Sequence, residues 1–276
     1  MRRTLAAVEL ANGVRMPYIE QGDPAAGTVL LVHAVGDSGR AFEAPLAHLP
    51  DSIHAVAPTL RGHGDASRPA SGYRSADFAG DLAALMDALR IEAAVVVGAS
   101  SGGQVALRLA LDHPERIRGL VLLGSPLRLG DKPGVRQAWD STLSLLEDPI
   151  DPGFVRDFIE STVVRPVPEA VVEALVQESL KVPAFVWKAT IAALLEDDLS
   201  PQLGDVAAPT LVVWGDQDAI LPRSEQEALA TGIRGARLLV YEGGGHAFYW
   251  ENAARVAADL VAFVGSVDAR RVGRSP

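Results

Sequence analysis

Short apolar runs rich in β-branched residues alternate along this chain with stretches of helical periodicity, and no other feature limits the fold as strongly. The runs are Thr28–His33, Ile53–Ala57, Ala93–Gly98, Leu120–Gly124, Thr210–Trp214 and Arg237–Tyr241. Each is bounded by Gly, Pro, Asp or Ser, as buried strands are. Between several of them lie helical patterns. Ser75–Leu89 places Phe78, Leu82, Leu85, Met86 and Leu89 on one stripe, and Ser101–Asp112 and Ala253–Val264 read the same way. Strands alternating with helices predict a parallel sheet covered on both faces, with ligands bound outside the carboxyl ends of the strands.

The alternation stops once. From 126 to 206 the chain offers only helix-like segments, roughly 133–147, 153–163, 168–181 and 184–196, punctuated by Pro149, Pro152, Pro166, Pro168 and Pro183. This predicts a helical cap at 126–206 inserted into a core made of 1–125 and 207–276. The insertion carries seven basic and fourteen acidic side chains, so most of the net charge of −10 sits there. The acidic balance argues against nucleic acid or an anionic membrane as partner. No apolar run reaches the roughly 18 residues of a membrane span. In MRRTLAAVEL, Glu9 interrupts the only apolar stretch that could begin a signal peptide, so a soluble, cytoplasmic protein is expected. The stretch after Val264 lacks an apolar stripe and reads as a frayed tail. The expected oligomeric state is monomer or homodimer.

Chemistry concentrates at strand ends. Val95-Val96-Val97 runs into Gly98-Ala99-Ser100-Ser101-Gly102, followed at once by a helix pattern. This is G-x-S-x-G in strand–turn–helix context, a nucleophile elbow. The turn is so tight that a Cβ two residues before or after Ser100 would meet neighbouring backbone, and Ser100 itself is strained. With no cysteine in the chain, thiolate nucleophiles, thiolate metal sites and disulfides are excluded.

A serine needs a base, and imidazole suits that role near neutrality. Of six histidines, His48 and His113 fall at helix ends and His54 in a strand. His63 lies in the turn Arg61-Gly62-His63-Gly64-Asp65, and His33 follows a strand but precedes the nucleophile. His246 follows the last strand after Gly243-Gly244-Gly245, a loop free of side chains that would let the ring swing over the sheet edge. A carboxylate must then fix the imidazole tautomer. After Thr210–Trp214 come two candidates, Asp216 and Asp218. Asp216 sits in the tight turn, where Asp caps backbone, and Asp218 precedes an apolar stretch and is the better choice. The oxyanion formed on attack needs backbone donors. The amide of Ser101 and that of Val35, in the loop after an early strand, are placed for this, with His33 holding the loop.

The chain resembles the α/β-hydrolase superfamily, in its capped serine-hydrolase branch. The likeness covers nearly the whole length and rests on LLVHAV at 30–35, APTLRGHGDASRP at 57–69, VVVGASSGGQVAL at 95–107, PTLVVWGDQDAILP at 209–222 and GGGHAFYWENAARVAADLVAFV at 243–264. It implies an α/β fold with an eight-stranded, mostly parallel sheet, helices on both faces and a cap inserted after strand 6. It also implies Ser100, Asp218 and His246 as catalytic triad, with Val35 and Ser101 as oxyanion donors. Two departures stand out. Ala34 replaces the family's usual glycine after His33. Asp37 lies unusually near the oxyanion loop, either lining the pocket or capping the turn before a helix near Gly39.

A serine at the elbow argues against haloalkane dehalogenases and epoxide hydrolases, which resemble this pattern with aspartate there. No metal-ligand spacing and no phosphate-binding glycine loop occurs, so neither metal nor cofactor is expected. The expected activity is hydrolysis of a carboxylic ester or lactone of a hydrophobic small molecule through an acyl-enzyme. Carbon–carbon bond hydrolysis, cofactor-free perhydrolysis and a ligand-binding module with vestigial hydrolysis are the alternatives. Aromatic residues of the cap (Trp139, Phe154, Phe158, Phe185, Trp187) and beside the base (Phe248, Tyr249, Trp250) are available for packing or pocket lining. Ala34, Asp37, Trp187, Phe185 and Phe248 are the pocket candidates.

Overall fold

The structure, a computed structural model, describes residues 3–272. Eight strands build one sheet: β1 (Thr4–Glu9), β2 (Arg15–Gln21), β3 (Thr28–Val32), β4 (His54–Pro58), β5 (Ala94–Ala99), β6 (Ile117–Leu123), β7 (Thr210–Gly215) and β8 (Arg237–Tyr241). Their order is β1-β2-β4-β3-β5-β6-β7-β8. The pairs β1–β2 and β2–β4 are antiparallel and every later neighbour is parallel. The six apolar runs fall on β3 to β8. Every residue of β3, β4, β5 and β7 is buried, which is why those strands read as continuous apolar runs rather than alternating ones. β1 and β2 form the antiparallel end of the sheet and carry no such run. β1 is partly exposed along its whole length, and β2 contains Pro17 and three charged or amide side chains.

The helices are α1 (Glu43–Leu46), α2 (Ser75–Ala88), α3 (Ser101–Asp112), α4 (Pro133–Ser141), α5 (Pro152–Ser161), α6 (Glu169–Ser179), α7 (Ala184–Glu196), α8 (Arg223–Gly232), α9 (Phe248–Glu251) and α10 (Ala253–Val272). α2 packs on α3 beside β5, while α1 packs on α10, which reaches β6. The chain steps from β3 outward to β4 and then crosses back over β3 to β5, and this reversal places a crevice at the carboxyl ends of β3 and β5. No helix among the described residues is long and apolar enough to cross a membrane.

The chain beyond Val264 is not a frayed tail: α10 continues to Val272. Val267 is buried against Gly119 of β6, and Arg118 pairs with Asp268. One apolar anchor and one ion pair hold these turns, too sparse a pattern to register as a stripe. Residues 273–276 of the expected tail lie outside the described residues.

Helices α4 to α7 lie between β6 and β7. The expected helix over 133–147 is shorter, ending at Ser141 before a separate 3₁₀ turn at Leu143–Leu145. Val155, Ile159 and Trp187 of this insertion belong to the same apolar cluster as Leu30 and Val97 of the sheet. The insertion therefore shares the core of the sheet.

Candidate active site

Ser100 occupies the junction of β5 and α3 with φ 48° and ψ −124°, a conformation that costs a non-glycine residue roughly 1–3 kcal/mol. Backbone bonds on both sides hold it there: its N–H donates to Leu123 O at 2.8 Å, and its carbonyl accepts from Gly103 N at 2.8 Å. The small flanking residues are a steric requirement. A Cβ on Gly98 would lie 2.4 Å from Gly102 O, and one on Gly102 would lie 2.4 Å from both Val32 O and His33 O.

The loop after β8 brings His246 to this serine. Nε2 lies 2.9 Å from Ser100 Oγ, and Nδ1 lies 2.8 Å from Asp218 Oδ2. The other Asp218 oxygen accepts from Ile220 N at 2.8 Å and Leu221 N at 2.9 Å, and the side chain is fully buried. A carboxylate so fixed accepts a hydrogen bond from Nδ1–H and holds the ring in that tautomer, leaving the Nε2 lone pair to accept from the serine hydroxyl. Asp216 faces elsewhere, accepting from Gly243 N at 2.7 Å across the two loops.

The three glycines before His246 provide close packing rather than swing. Gly245 N donates to Glu251 and Gly244 N to Tyr241 O, while Gly244 O accepts from Gln217 N. A Cβ on Gly245 would lie 2.9 Å from Thr162 O. The loop is also tied to the insertion. Ala247 N donates to Thr162 O at 2.8 Å, Val164 N donates to Glu251 at 2.6 Å, and Arg165 donates to the carbonyls of Glu242 and Gly243.

The two amides expected to hold an oxyanion differ. Ser101 N opens helix α3 beside Ser100. Val35 N is already engaged, donating to the Ser101 hydroxyl at 2.8 Å. Nothing in the sequence marks that bond, because it joins residues 66 positions apart. His33 holds the loop: Nδ1 bonds Ala34 O at 2.8 Å and Nε2 accepts from Leu60 N at 2.9 Å. Burial, with His63 close by, lowers its pKa to about 3. His63, bonded through Nδ1 to Arg61 O, is lowered by burial to about 4. Both rings are therefore neutral fixtures of the loops.

Ser100 and His246 open into a cavity of about 560 Å³, bounded below by the sheet edge and above by residues of the insertion. Its walls are mostly apolar. Ala34 and Asp37 are among the residues that line it. Ser38, not Asp37, caps the following turn by accepting from Arg40 N. The Asp37 carboxyl is buried, and burial pushes it up to about 8, with the Ala34 amide opposing.

Three pocket candidates lie outside the lining. Trp187 is fully buried behind it, against Gly36 and edge-on to Phe158 at 5.4 Å. Phe185 faces the other side of α7, 40% exposed and edge-on to Tyr73. Phe248 packs between Tyr241 and Tyr249. The aromatic rings that do reach the cavity are Phe158, Tyr249 and Trp250. Helical phase decides which residue of each pair faces in, and a short helix such as α9 gives too few turns to read it. Among the described residues no group of three or more His, Asp or Glu side chains could hold a metal ion.

The family model described as alpha/beta hydrolase fold matches residues 27–253. The chain belongs to the α/β-hydrolase fold family. Among its α/β-hydrolase relatives is the 2-hydroxymuconate semialdehyde hydrolase of Pseudomonas putida, 33% identical over 94% of this chain and 94% of the relative. The dihydrolipoyllysine-residue acetyltransferase component of an acetoin cleaving system from Cupriavidus necator is also 33% identical, over 90% of this chain. The α/β-hydrolase chain spans only 66% of that relative's length. Among solved structures, that of Est816, an N-acyl homoserine lactone degrading enzyme, superposes with a TM-score of 0.76 at 28% identity, covering 94% of this chain and all of that one.

Proposed function

We propose that this α/β-hydrolase is a serine hydrolase of carboxylic esters or lactones whose substrate is an uncharged, largely apolar small molecule. The observation that carries the reading is the hydrogen-bonded series Ser100–His246–Asp218 opening into an apolar cavity beneath the insertion. In this mechanism His246 takes the Ser100 proton as Oγ attacks the carbonyl carbon. The amides of Ser101 and Val35 receive the oxyanion, the latter once released by the Ser101 hydroxyl. Protonated His246 then delivers its proton to the leaving alcohol, or to the ring oxygen of a lactone. The same imidazole activates water to free the acid and regenerate Ser100. Residues 126–206 act as the lid that shapes the pocket.

The lactone-degrading structural neighbour supports the ester and lactone class. The relative that acts on 2-hydroxymuconate semialdehyde supports carbon–carbon cleavage as a second reading. Cavity electrostatics favour the first. Besides His246, Lys132 is the one basic side chain lining the cavity among the described residues, and Asp131 and Glu225 already pair with it. A carboxylate-bearing substrate would find no free cation there and would meet the buried Asp37 carboxyl.

The test is turnover of a panel of neutral esters and lactones, with a vinylogous diketone and a peroxide-dependent assay alongside. Ser100→Ala should lower kcat on the cleaved ester by about 10⁴-fold or more. Fluorophosphonate labelling of Ser100 separates an enzyme from a binding module. Cleavage of the diketone with no ester turnover, or an unlabelled Ser100, would overturn the reading.

A further inference from the structure

Within the apolar cavity, polar side chains are few, and most have a partner. Ser161 and Thr162 donate to carbonyls of their own helix, Trp250 donates to Ala41 O, and Lys132 is paired with Glu225. Two lining groups differ. Asp37 is 4% exposed and in no ion pair among the described residues; the Ala34 amide alone compensates it. Tyr249 is 2% exposed, and its hydroxyl has no hydrogen-bond partner among the described residues. Burial raises the pKa of the Tyr249 phenol, and the charges of Asp37 and Asp218, when ionised, raise it further. Asp37 and Tyr249 come from different elements, the loop after β3 and helix α9, and both line the cavity that Ser100 opens into. Two polar side chains without a side-chain partner on one ligand-sized apolar space are groups that a bound molecule could satisfy.

We propose that Asp37 and Tyr249 form a paired hydrogen-bonding station that selects substrates carrying an uncharged oxygen acceptor, a ketone, hydroxyl or ether, in addition to the scissile carbonyl. The proposal rests on the reading of this cavity as the substrate pocket. In an apolar site an unpaired carboxyl is held as the acid, and a carboxylic acid and a phenol are both donors. The oxygen of a bound substrate would accept from both and would satisfy groups that a plain alkyl chain leaves unpaired. A site built to hydrogen-bond a substrate atom discriminates strongly against the analogue lacking it. An anionic group is rejected there, and an ammonium group would require the ionised form of Asp37.

The test uses matched pairs. p-Nitrophenyl 4-oxopentanoate against p-nitrophenyl pentanoate places the oxygen on the acyl side. 3-Oxobutyl pentanoate against butyl pentanoate places it on the alcohol side, and the ammonium ester 2-(trimethylammonio)ethyl pentanoate is the charged control. The full-length protein should prefer the oxygenated member of at least one pair by about tenfold in kcat/KM, the worth of one to two hydrogen bonds. Tyr249→Phe and Asp37→Leu should each reduce that ratio to threefold or less. Asp37→Asn, which keeps an uncharged donor, should retain it within about threefold.

Equal rates within both pairs would overturn the proposal, as would an unchanged ratio in Tyr249→Phe. A preference for the ammonium ester that Asp37→Asn abolishes would do so as well. The same pairs titrated into Ser100→Ala, followed by tryptophan fluorescence, give the Kd ratio without turnover. If the wild type cleaves no ester, the hydrolase reading fails while the Kd ratio still decides on the station.

Discussion

Asp37→Asn should change how stability depends on pH, because three buried groups pull in opposite directions. His33 and His63 are lowered to about 3 and about 4, from an ordinary value near 6.5. The unfolded chain therefore binds two protons that the folded chain refuses. Their contribution to stability is complete above pH 6.5 and lost as pH falls toward the folded values. Asp37, raised from 3.8 to about 8, works the other way: its contribution is full below pH 3.8 and lost as pH rises through 8. Folded and unfolded states bind equal numbers of these protons where the two unfolded histidines together hold one, which sets a stability maximum near pH 6.5. At about 1.4 kcal/mol per proton and pH unit, going from pH 6.5 to 5 costs about 3 kcal/mol through the histidines and recovers about 2 through Asp37. Going from pH 6.5 to 8 costs about 1.6 kcal/mol through Asp37 and recovers about 0.8. The wild type should lose about 1 kcal/mol at either end. Asp37→Asn should lose about 3 kcal/mol at pH 5 and gain about 1 by pH 8, moving the maximum above pH 7. Urea unfolding at half-unit steps, read by tryptophan fluorescence, measures this directly. Superimposable profiles for the two proteins would show that Asp37 is not a buried acid, and a flat acid limb in Asp37→Asn would show that the histidines are not buried bases.

Asp218→Asn should lower kcat on the cleaved ester by about 10⁴-fold, because the amide stabilises the wrong imidazole tautomer, while Asp216→Asn should stay within about tenfold. The reverse pattern in steady-state kinetics would exchange the two assignments. Ser101→Ala frees the Val35 amide from its 2.8 Å bond and should raise kcat/KM about fivefold, the value of one neutral hydrogen bond that no longer has to break. A fall of tenfold or more would instead make that hydroxyl an oxyanion donor. Val267→Ala should cost about 1–2 kcal/mol in urea unfolding, since the side chain is buried against β6. No change would mean that the last turns of α10 contribute nothing to the fold.

Much of this arrangement is legible in the sequence because strand burial and elbow geometry impose local patterns. Val95–Val97 reads as a buried strand, and Gly98 and Gly102 are small because Ser100 turns between them. Ser100, Asp218 and His246 each follow a strand, so topology alone brings them to one edge. The features that escape the sequence depend on distant partners. Ser101 meets Val35, and Glu251 ties Gly245 to Val164, and neither leaves a periodic trace. Trp187, Phe185 and Phe248 look available for a pocket because composition does not reveal phase, and one residue of rotation separates lining from packing. The glycines before His246 suggest freedom, yet the loop is packed: Gly243 has a positive φ of 65° beside the Arg165 guanidinium, and a Cβ on Gly245 would lie 2.9 Å from Thr162 O.

The tie between residues 162–165 and the His246 loop has a consequence for recombination. Capped hydrolases invite exchange of the whole insertion as a cassette, with specificity carried over and chemistry left behind. Here the graft would remove the Thr162 carbonyl that accepts from Ala247, the Val164 amide that occupies Glu251 and the Arg165 guanidinium that clasps Glu242 and Gly243. A chimera cut at the strand boundaries would inherit a foreign insertion and a His246 loop without these bonds. The transplantable units are the stretches on either side of 162–165, and that tetrapeptide belongs with the recipient's own last loop.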